Sequence, residues 1–456
     1  MSTFSGIRLA ESGLIAARAG MNVTGQNIAN QATAGYTRQR VDQSALAQTV
    51  VATYSTLDSV GEGVQVTGVS RVTDSVVDAR VRSTTSSASY WGTTASAMST
   101  VETSLNEPGT GGLSTTLNKF WDAWQTVANN TGTTQAGQGA ANALLEQGKL
   151  VASTISSGYT AATDAWTDAR SGAASKVTTI NDTATRIADL NKTIQALSAS
   201  GGNVNSLLDQ RDAAVNSLSA LAGATTRSNP DGTIDVVVGG SSLVSGTATR
   251  KVALSGATSF AGIATNPVKL TWADTGSAVS LEGGEIAARV ATLQPADASG
   301  GGTGGVYAEA AKAYDDIARS IADSVNAVHR TGTTATGTTA LDFFSYSSTG
   351  VAATSLTVVP TSVSGIAVAD GTKGNLDNTI ADRIAQIGSG AGSPDAGWAS
   401  YVSRIGSQSA TAAARSSNAD TAATAATAAQ TSVGGVDLDE ETANLVIFQH
   451  AYQASA

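Results

Sequence analysis

Residues 7–38, IRLAESGLIAARAGMNVTGQNIANQATAGYTR, decide how the rest of the chain is read. Ile7, Ala10, Leu14, Ala17, Met21, Thr24 and Ile28 follow one another at alternating spacings of three and four. That period puts them on a single seam of one continuous helix, about 35–40 Å long at ~1.5 Å per residue. Gly6, Gly13 and Gly20 recur every seven residues beside the seam, where small side chains let a second backbone come close. An ordinary amphipathic surface helix carries a wider apolar face, so the spacing predicts a helix built to lie along another. Asn27, Asn30, Gly35 and Tyr36 then read as its terminator. The two asparagines can hydrogen-bond fraying carbonyls or a partner backbone, Gly35 can turn left-handed, and Tyr36 offers a rigid anchor.

The other end of the chain has the matching pattern. Gly434-Gly435 stops a long helical run, and Asp437 caps a last helix with Asp439, Glu440 and Glu441 in its first turn, where carboxylates complement the exposed N–H groups. Leu438, Thr442, Leu445, Phe448, Tyr452 and Ser455 continue at helical spacing. Neither narrow seam can be buried alone. The expected contact sets Ile7, Leu14, Met21 and Ile28 against Leu438, Leu445, Phe448 and Tyr452.

Between the ends, narrow apolar stripes predict further rods: Leu113 to Val127, Val177 to Ile194 (with Asn191 as a polar break) and Leu207 to Leu221, after a short extended stretch from Val60 to Val72. Pro230-Asp231-Gly232 is a turn, since proline presets φ and glycine accepts φ > 0. After it, Thr233 to Val238 and Ser241 to Val244 read as a hairpin, with Lys251–Leu254, Val268–Trp272, Ala278–Leu281, Leu356–Pro360 and Ile366–Val368 as short strands of the same β region. Residues 285–293 and 307–330 return to helix, separated by a Gly-rich linker, and 410–429 is nearly all Ala, Thr and Ser, read as helix because alanine propagates it and Pro and Gly are absent. The fold class is mainly α with a β-rich insertion. Its expected units are 1–36 with 436–456 as an inner pair of terminal helices, 37–228 with 380–435 as a helical rod, and 229–379 as an outer β-rich part.

Composition removes whole classes of function. The chain of 456 residues has no cysteine and two histidines, His329 and His450, so it has no thiol chemistry and no histidine-rich metal centre. A net charge of −10 argues against nucleic acid and anionic membranes as partners, and no apolar run is long enough to span a bilayer. Only 14% of residues are charged and 5% aromatic, which leaves slim helices of small residues with few large anchors. No residue pair supports an active site. Gly283-Gly284-Glu285-Ile286 lacks the Lys-Ser/Thr of a phosphate loop, Asp437 to Glu441 is explained by capping, and Asp209 with Arg211-Asp212 reads as a solvated or helix-bridging charge cluster. No enzyme, cofactor or metal is expected.

The specific residues point further. Asn27-x-x-Asn30-x-x-Thr33-x-Gly35-Tyr36-x-Arg38 resembles the signature of flagellar rod, hook and hook-associated proteins. Leu207-Leu208-Asp209-Gln210-Arg211-Asp212, then Asn326-x-x-His329-x-x-Gly332 with Asp342-Phe343-Phe344, then Gly435-Val436-Asp437-Leu438-Asp439-Glu440-Glu441 running to Phe448-Gln449-His450-Ala451-Tyr452-Gln453-Ala454-Ser455-Ala456, follow in the order of the hook-associated proteins of the hook–filament junction, the FlgK type. Asp437 replaces the usual Asn and keeps the cap. In that family the last helix runs on for several more turns, so the chain reads either as a truncated version or as a member that ends early. The short insertion after Phe344 implies that the separate outer domain of larger relatives is missing.

The resemblance implies a structural subunit exported through the flagellum-specific type III channel and residing in the extracellular flagellum without membrane insertion. It would assemble as a homo-oligomeric ring between the hook protein and a second junction protein, with an export chaperone binding its C-terminal region. The assembly residues carried over are Ile7, Leu14, Met21, Ile28, Asn27, Asn30, Gly35, Tyr36, Leu438, Leu445, Phe448 and Tyr452. Another axial protein (the hook subunit or the second junction protein) is the nearest alternative, disfavoured by the LLDQRD and N-x-x-H-x-x-G matches. A secreted Ala/Ser/Thr-rich adhesin would carry a solenoid repeat, which is not found.

Overall fold

A computed structural model describes residues 3–46, 63–131, 134–371, 374 and 377–456. Helix α1 (Thr3–Asn30) runs unbroken over the heptad-spaced stretch. It leads into an antiparallel hairpin of β1 (Gln39–Ala45) and β2 (Val64–Arg71), paired from Gln39–Arg71 to Ala45–Val64 with a bulge after Asp42. The predicted extended stretch corresponds to β2, with residues 60–62 outside the described ones. Strand β1, QRVDQSA, is not anticipated by its pattern, since Val41 is its one large apolar residue. It owes its place to side-chain bonds from other elements.

The helical body follows as α2 (Ser75–Leu105), α3 (Leu113–Asn129), α4 (Gln135–Ala199) and α5 (Asn205–Ala222). Asp74 caps α2 and Thr134 caps α4, each side chain accepting first-turn N–H bonds, and Gly223 closes α5 at φ 66°. The four-stranded antiparallel sheet β3 (Thr225–Ser228), β4 (Ile234–Val238), β5 (Ser241–Ser245) and β6 (Ala248–Thr249) and the pair β7 (Val252–Ser255) and β8 (Lys269–Trp272) follow. Ala278–Leu281, expected as a strand, makes a single bridge from Ala278 to Thr271.

Helix α4 holds these strands through polar side chains aimed at their backbones. Asn181 donates to the Val252 carbonyl and accepts from its N–H, both at 2.9 Å. Asn191, fully buried, donates to the carbonyls of Ile234 (2.8 Å) and Gly246 (2.7 Å). Arg211 of α5 donates to the Asn191 amide oxygen at 3.0 Å and to the Gly232 carbonyl at 2.8 Å. The polar break in the α4 stripe is thus the fastening point of the β4–β5 hairpin, a satisfied group where an unsatisfied one would be costly.

After α6 (Gly284–Thr292) comes α7 (Val306–His329), which lies against α4 and α10 rather than among the strands. Gly158 of α4 leaves the room that Tyr314 fills (a Cβ there would stand 2.2 Å from it), and Tyr314 packs on Trp398 with ring centroids 4.9 Å apart. The remaining elements are β9 (Thr333–Thr334), β10 (Phe344–Ser345), α8 (Ala352–Ser355), β11 (Thr357–Val358), β12 (Ala367–Ala369), α9 (Thr379–Ala385), α10 (Pro394–Gly434) and α11 (Leu438–Ser455). The pairs β10–β11 and β9–β12 form separate two-stranded sheets. Residues 356–360 and 366–368 therefore do not join the sheet of β3 to β6.

The Ala/Thr/Ser-rich segment belongs to α10, a single helix of 41 residues antiparallel to α2. Gln430 donates to Asp78 at 2.6 Å, Gly92 faces Ser416, and Gly406 faces Glu102. Ala412, Ala419 and Ala426 are buried at heptad spacing. Thin side chains let the two backbones run close over their shared length, replacing large anchors by extent of contact.

One cluster of large anchors surrounds Trp124 and Phe343, which lie 5.0 Å apart beside Phe120 and Phe344. Asn326 accepts from the N–H groups of Phe343 and Phe344, both at 2.9 Å, and donates to the Phe344 carbonyl at 2.8 Å. His329, fully buried, has Nδ1 2.7 Å from the Leu341 carbonyl, while Nε2 accepts from the Ala367 N–H at 2.9 Å. This pairing requires the neutral ring with its proton on Nδ1. The N-x-x-H motif is therefore a backbone clamp for the Asp342-Phe343-Phe344 segment.

Burial pushes the His329 pKa below its ordinary 6.5. The unfolded chain therefore takes up a proton as pH falls through ~6.5 while the folded chain does not, so stability is full above that pH and declines below it. Urea unfolding at pH 7.5 and 5.5 should show a lower midpoint at pH 5.5, and His329→Gln should flatten that pH dependence. A slope unchanged by the substitution would contradict this assignment.

Candidate assembly interface

Helices α1 and α11 pack antiparallel along each other. The line of contact lies one residue away from the expected seam. A Cβ added at Gly13 would stand 2.7 Å from Ser455 Oγ, and one at Gly20 would stand 2.5 Å from the Phe448 ring. One heptad further, the Asn27 amide donates to the Glu441 carboxylate at 3.1 Å. Ala17 and Thr24 are buried between these steps. Of the expected seam on α1, Ala17 and Thr24 keep their places. Leu14, Met21 and Ile28 stand half-buried on the flank, and Ile7 is 60% exposed. On α11, Phe448 and Leu445 are half-buried, while Leu438 and Tyr452 stand exposed. Glycine wins the central row because it lets the helices approach more closely than a leucine or methionine knob would allow.

Asn27 is the densest polar node of the region. Its amide nitrogen also donates to the Gln39 carbonyl (2.8 Å), and its oxygen accepts from the Tyr36 hydroxyl (2.8 Å) and the Gln39 N–H (3.0 Å). Two donors and two acceptors saturate the buried amide. Burial, with Asp209 and Glu441 nearby, pushes the Tyr36 phenol above its ordinary 10.0, which keeps it a donor. Asn30 donates to the Gln26 carbonyl of its own last turn at 2.9 Å, and Gly35 turns the chain at φ 79°. Arg38 finishes the turn: its N–H donates to the Gly434 carbonyl at 2.8 Å and its guanidinium pairs with Glu440 at 2.6 Å.

A second set of bonds ties this turn to the body. Arg71 of β2 reaches both Asp209 and Asp212 at 2.8 Å. The Thr37 N–H faces Asp209 at 3.4 Å, and Asn205 donates to Gln39 Oε1 (3.1 Å) and the Val69 carbonyl (2.9 Å). The LLDQRD carboxylates are therefore a partly buried bridge to a strand, not a solvated patch, while Arg211 between them turns to the β4 hairpin. Beside this joint lies a cavity of about 560 Å³ lined by Tyr36, Asp74, Asp209, Gln430 and Gly434. Sequence reasoning missed Gln39, Arg71 and Asn205, which become visible only when β1 and β2 pair. It assigned Glu441 to the helix cap, yet Glu441 is 3% exposed.

A chain whose two ends close on each other, with a helical body and a β insertion strung between them, is the fold and site in hand. A family model described as the flagellar hook-associated protein FlgK helical domain matches residues 98–344, more than half of the chain. Flagellar hook-associated protein 1 of Bacillus subtilis (strain 168) is 27% identical over 496 residues, covering 100% of this chain and 95% of that protein. The protein of the same name from Escherichia coli (strain K12) is 32% identical over 253 residues, covering 54% of this chain and 44% of the relative. Among solved structures, the flagellar hook junction protein FlgK from Burkholderia pseudomallei superposes with a TM-score of 0.65 at 16% identity over 78% of this chain and all of that one, a shared fold. The chain belongs to the flagellar hook-associated protein FlgK family.

The close approach at Gly20 gives a direct test. Gly20→Ala should loosen α11 and raise amide exchange along residues 438–455, at a cost of about 1–3 kcal/mol for overpacking. Phe448→Ala in the same chain should restore protection. Unchanged exchange in Gly20→Ala would show that the helices are not in contact there.

Proposed function

We propose that the chain is a structural subunit of the junction between hook and filament, and that it assembles through the terminal helix pair. The observation that carries this reading is the apolar surface the pair leaves open: Ile7 at 60%, Ile15 at 58% and Ile447 at 61% exposure, with Leu438 and Val446 also exposed. Singly, such residues are normal on a surface. Gathered on two paired helices they ask for further helices to cover them. No helix among the described residues is long and apolar enough to cross a membrane, so the partners that fit are protein helices, in the first place copies of the same chain in a ring.

On this reading residues 1–36 with 436–456 form the inner unit, the long helices of 37–228 and 380–435 form the layer around it, and the strands of the 229–379 insertion face outward. The hook protein contacts the ring below and a second junction protein above. An export chaperone engages the C-terminal helix before assembly, and export follows the flagellar type III route. The polar, cavity-bearing joint near Tyr36 and Gly434 supports a mechanism of geometric adaptation, since polar tethers around an open volume allow the inner pair to tilt against the body more readily than a dense apolar contact.

Ile447→Asp should leave the monomer folded, because the position is exposed, yet block assembly by placing a charge in a dry interface. Cells carrying it should show hooks without filaments and release monomeric flagellin, while its circular dichroism matches the unsubstituted chain. Normal filaments would contradict assembly through this face.

A further inference from the structure

The α1–α11 contact is built from three points, seven residues apart on each helix and running in opposite directions: Gly13 with Ser455, Gly20 with Phe448, Asn27 with Glu441. The glycine row extends one step further to Gly6, where nothing lies within 4 Å of an added Cβ. Sterically, the row is therefore degenerate. Sliding α11 one heptad toward the start of α1, about 10 Å, would put Ser455 at Gly6, Phe448 in the Gly13 notch and Glu441 at Gly20. Every notch would stay filled. The opposite slide would drive Phe448 into the Asn27 side chain and is closed.

We propose that the Asn27–Glu441 hydrogen bond is the specificity determinant that selects the observed register over the heptad-slipped one. In the slipped register the Glu441 carboxylate would face Gly20, which has no side chain to donate to it. In the observed register Glu441 is 3% exposed and receives the Asn27 amide, which Tyr36 and Gln39 hold in place from the other side. A buried polar residue among otherwise permissive core positions fixes register in this way, at some cost in stability. Asn27 also makes the choice of register conditional on the turn of residues 31–39. With the turn unmade the amide loses three of its four bonds, so docking of α11 and ordering of the turn become one event.

The competing restraint is the linker. Gly434 is tied to the Arg38 N–H, and three residues separate it from α11. Cysteine cross-linking separates the two, because the chain has no cysteine of its own. Gly13→Cys with Ser455→Cys reports the observed register, since an added Cβ lies 3.4 Å from that of Ser455, close to disulfide geometry. Gly6→Cys with Ser455→Cys reports the slipped one. With Glu441 present, the first pair should oxidise and the second should not. In Glu441→Leu, the ratio of first to second cross-link should fall by about tenfold or more, as expected from loss of a charged hydrogen bond. Glu441→Gln, whose amide oxygen still accepts from Asn27, should keep the original pattern. A ratio unchanged in Glu441→Leu would assign register to the linker or to the Arg38–Glu440 pair and overturn the proposal. So would loss of both cross-links in that variant, or a Glu441→Gln pattern matching that of Leu.

Discussion

The ends of this chain depend on how close α1 and α11 can come. At Gly20 the Phe448 ring occupies the space a Cβ would take, and at Gly13 the Ser455 hydroxyl does the same. Only at that separation does the Asn27 amide reach Glu441 while also holding Gln39 and Tyr36. Larger residues in the glycine row would part the helices, strand a buried carboxylate and undo the turn that leads into β1. The same geometry turns Ile7, Ile15 and Ile447 outward, because a narrow row of small residues uses up only one strip of each helix. An interface within the chain and an unused apolar surface outside it are two consequences of one packing choice.

The body solves the shortage of large side chains in two ways. Where helices meet, as in α2 and α10, long runs of Ala, Ser and Gly give extended close contact. Where helices meet strands or loops, single polar side chains bond the backbone: Asn181 to Val252, Asn191 to the β4–β5 hairpin, Asn326 and His329 to the segments around Phe343 and Ala367. These contacts depend on position more than on buried area. They suit a chain with 5% aromatic residues, and they explain why its recognisable motifs are rich in Asn, Asp, Arg and His.

The periodicity of the terminal helices, their caps and the strand-rich insertion were all legible in the sequence, because each rests on local spacing or local turn chemistry. The phase of the α1 seam was not. Ile7, Leu14, Met21 and Ile28 look like the knobs of a coiled coil, and the glycines beside them look like accessories, yet close approach reverses the roles. The signal was present as a shared period, Gly13-Gly20-Asn27 against Glu441-Phe448-Ser455, but pairing it needs both ends at once. Strand β1 was hidden because Val41 is its one large apolar residue, and the Arg71 bridge to Asp209 and Asp212 because contacts more than a hundred residues apart leave no local pattern. Helix α7 sits by chain order inside the β-rich insertion, and only Tyr314 against Gly158 and Trp398 shows which layer it joins.

Assembly through the terminal pair is tested most directly by the accessibility of its outer face before and after assembly. Single cysteines at Ile15 and Ile447, with one at exposed Ala248 on β6 as reference, can be labelled with a thiol reagent in the free chain and in isolated flagella. Burial of the pair in the junction predicts that all three react in the free chain, and that only the Ala248 position still reacts in flagella. Equal labelling of positions 15 and 447 in both states would contradict it.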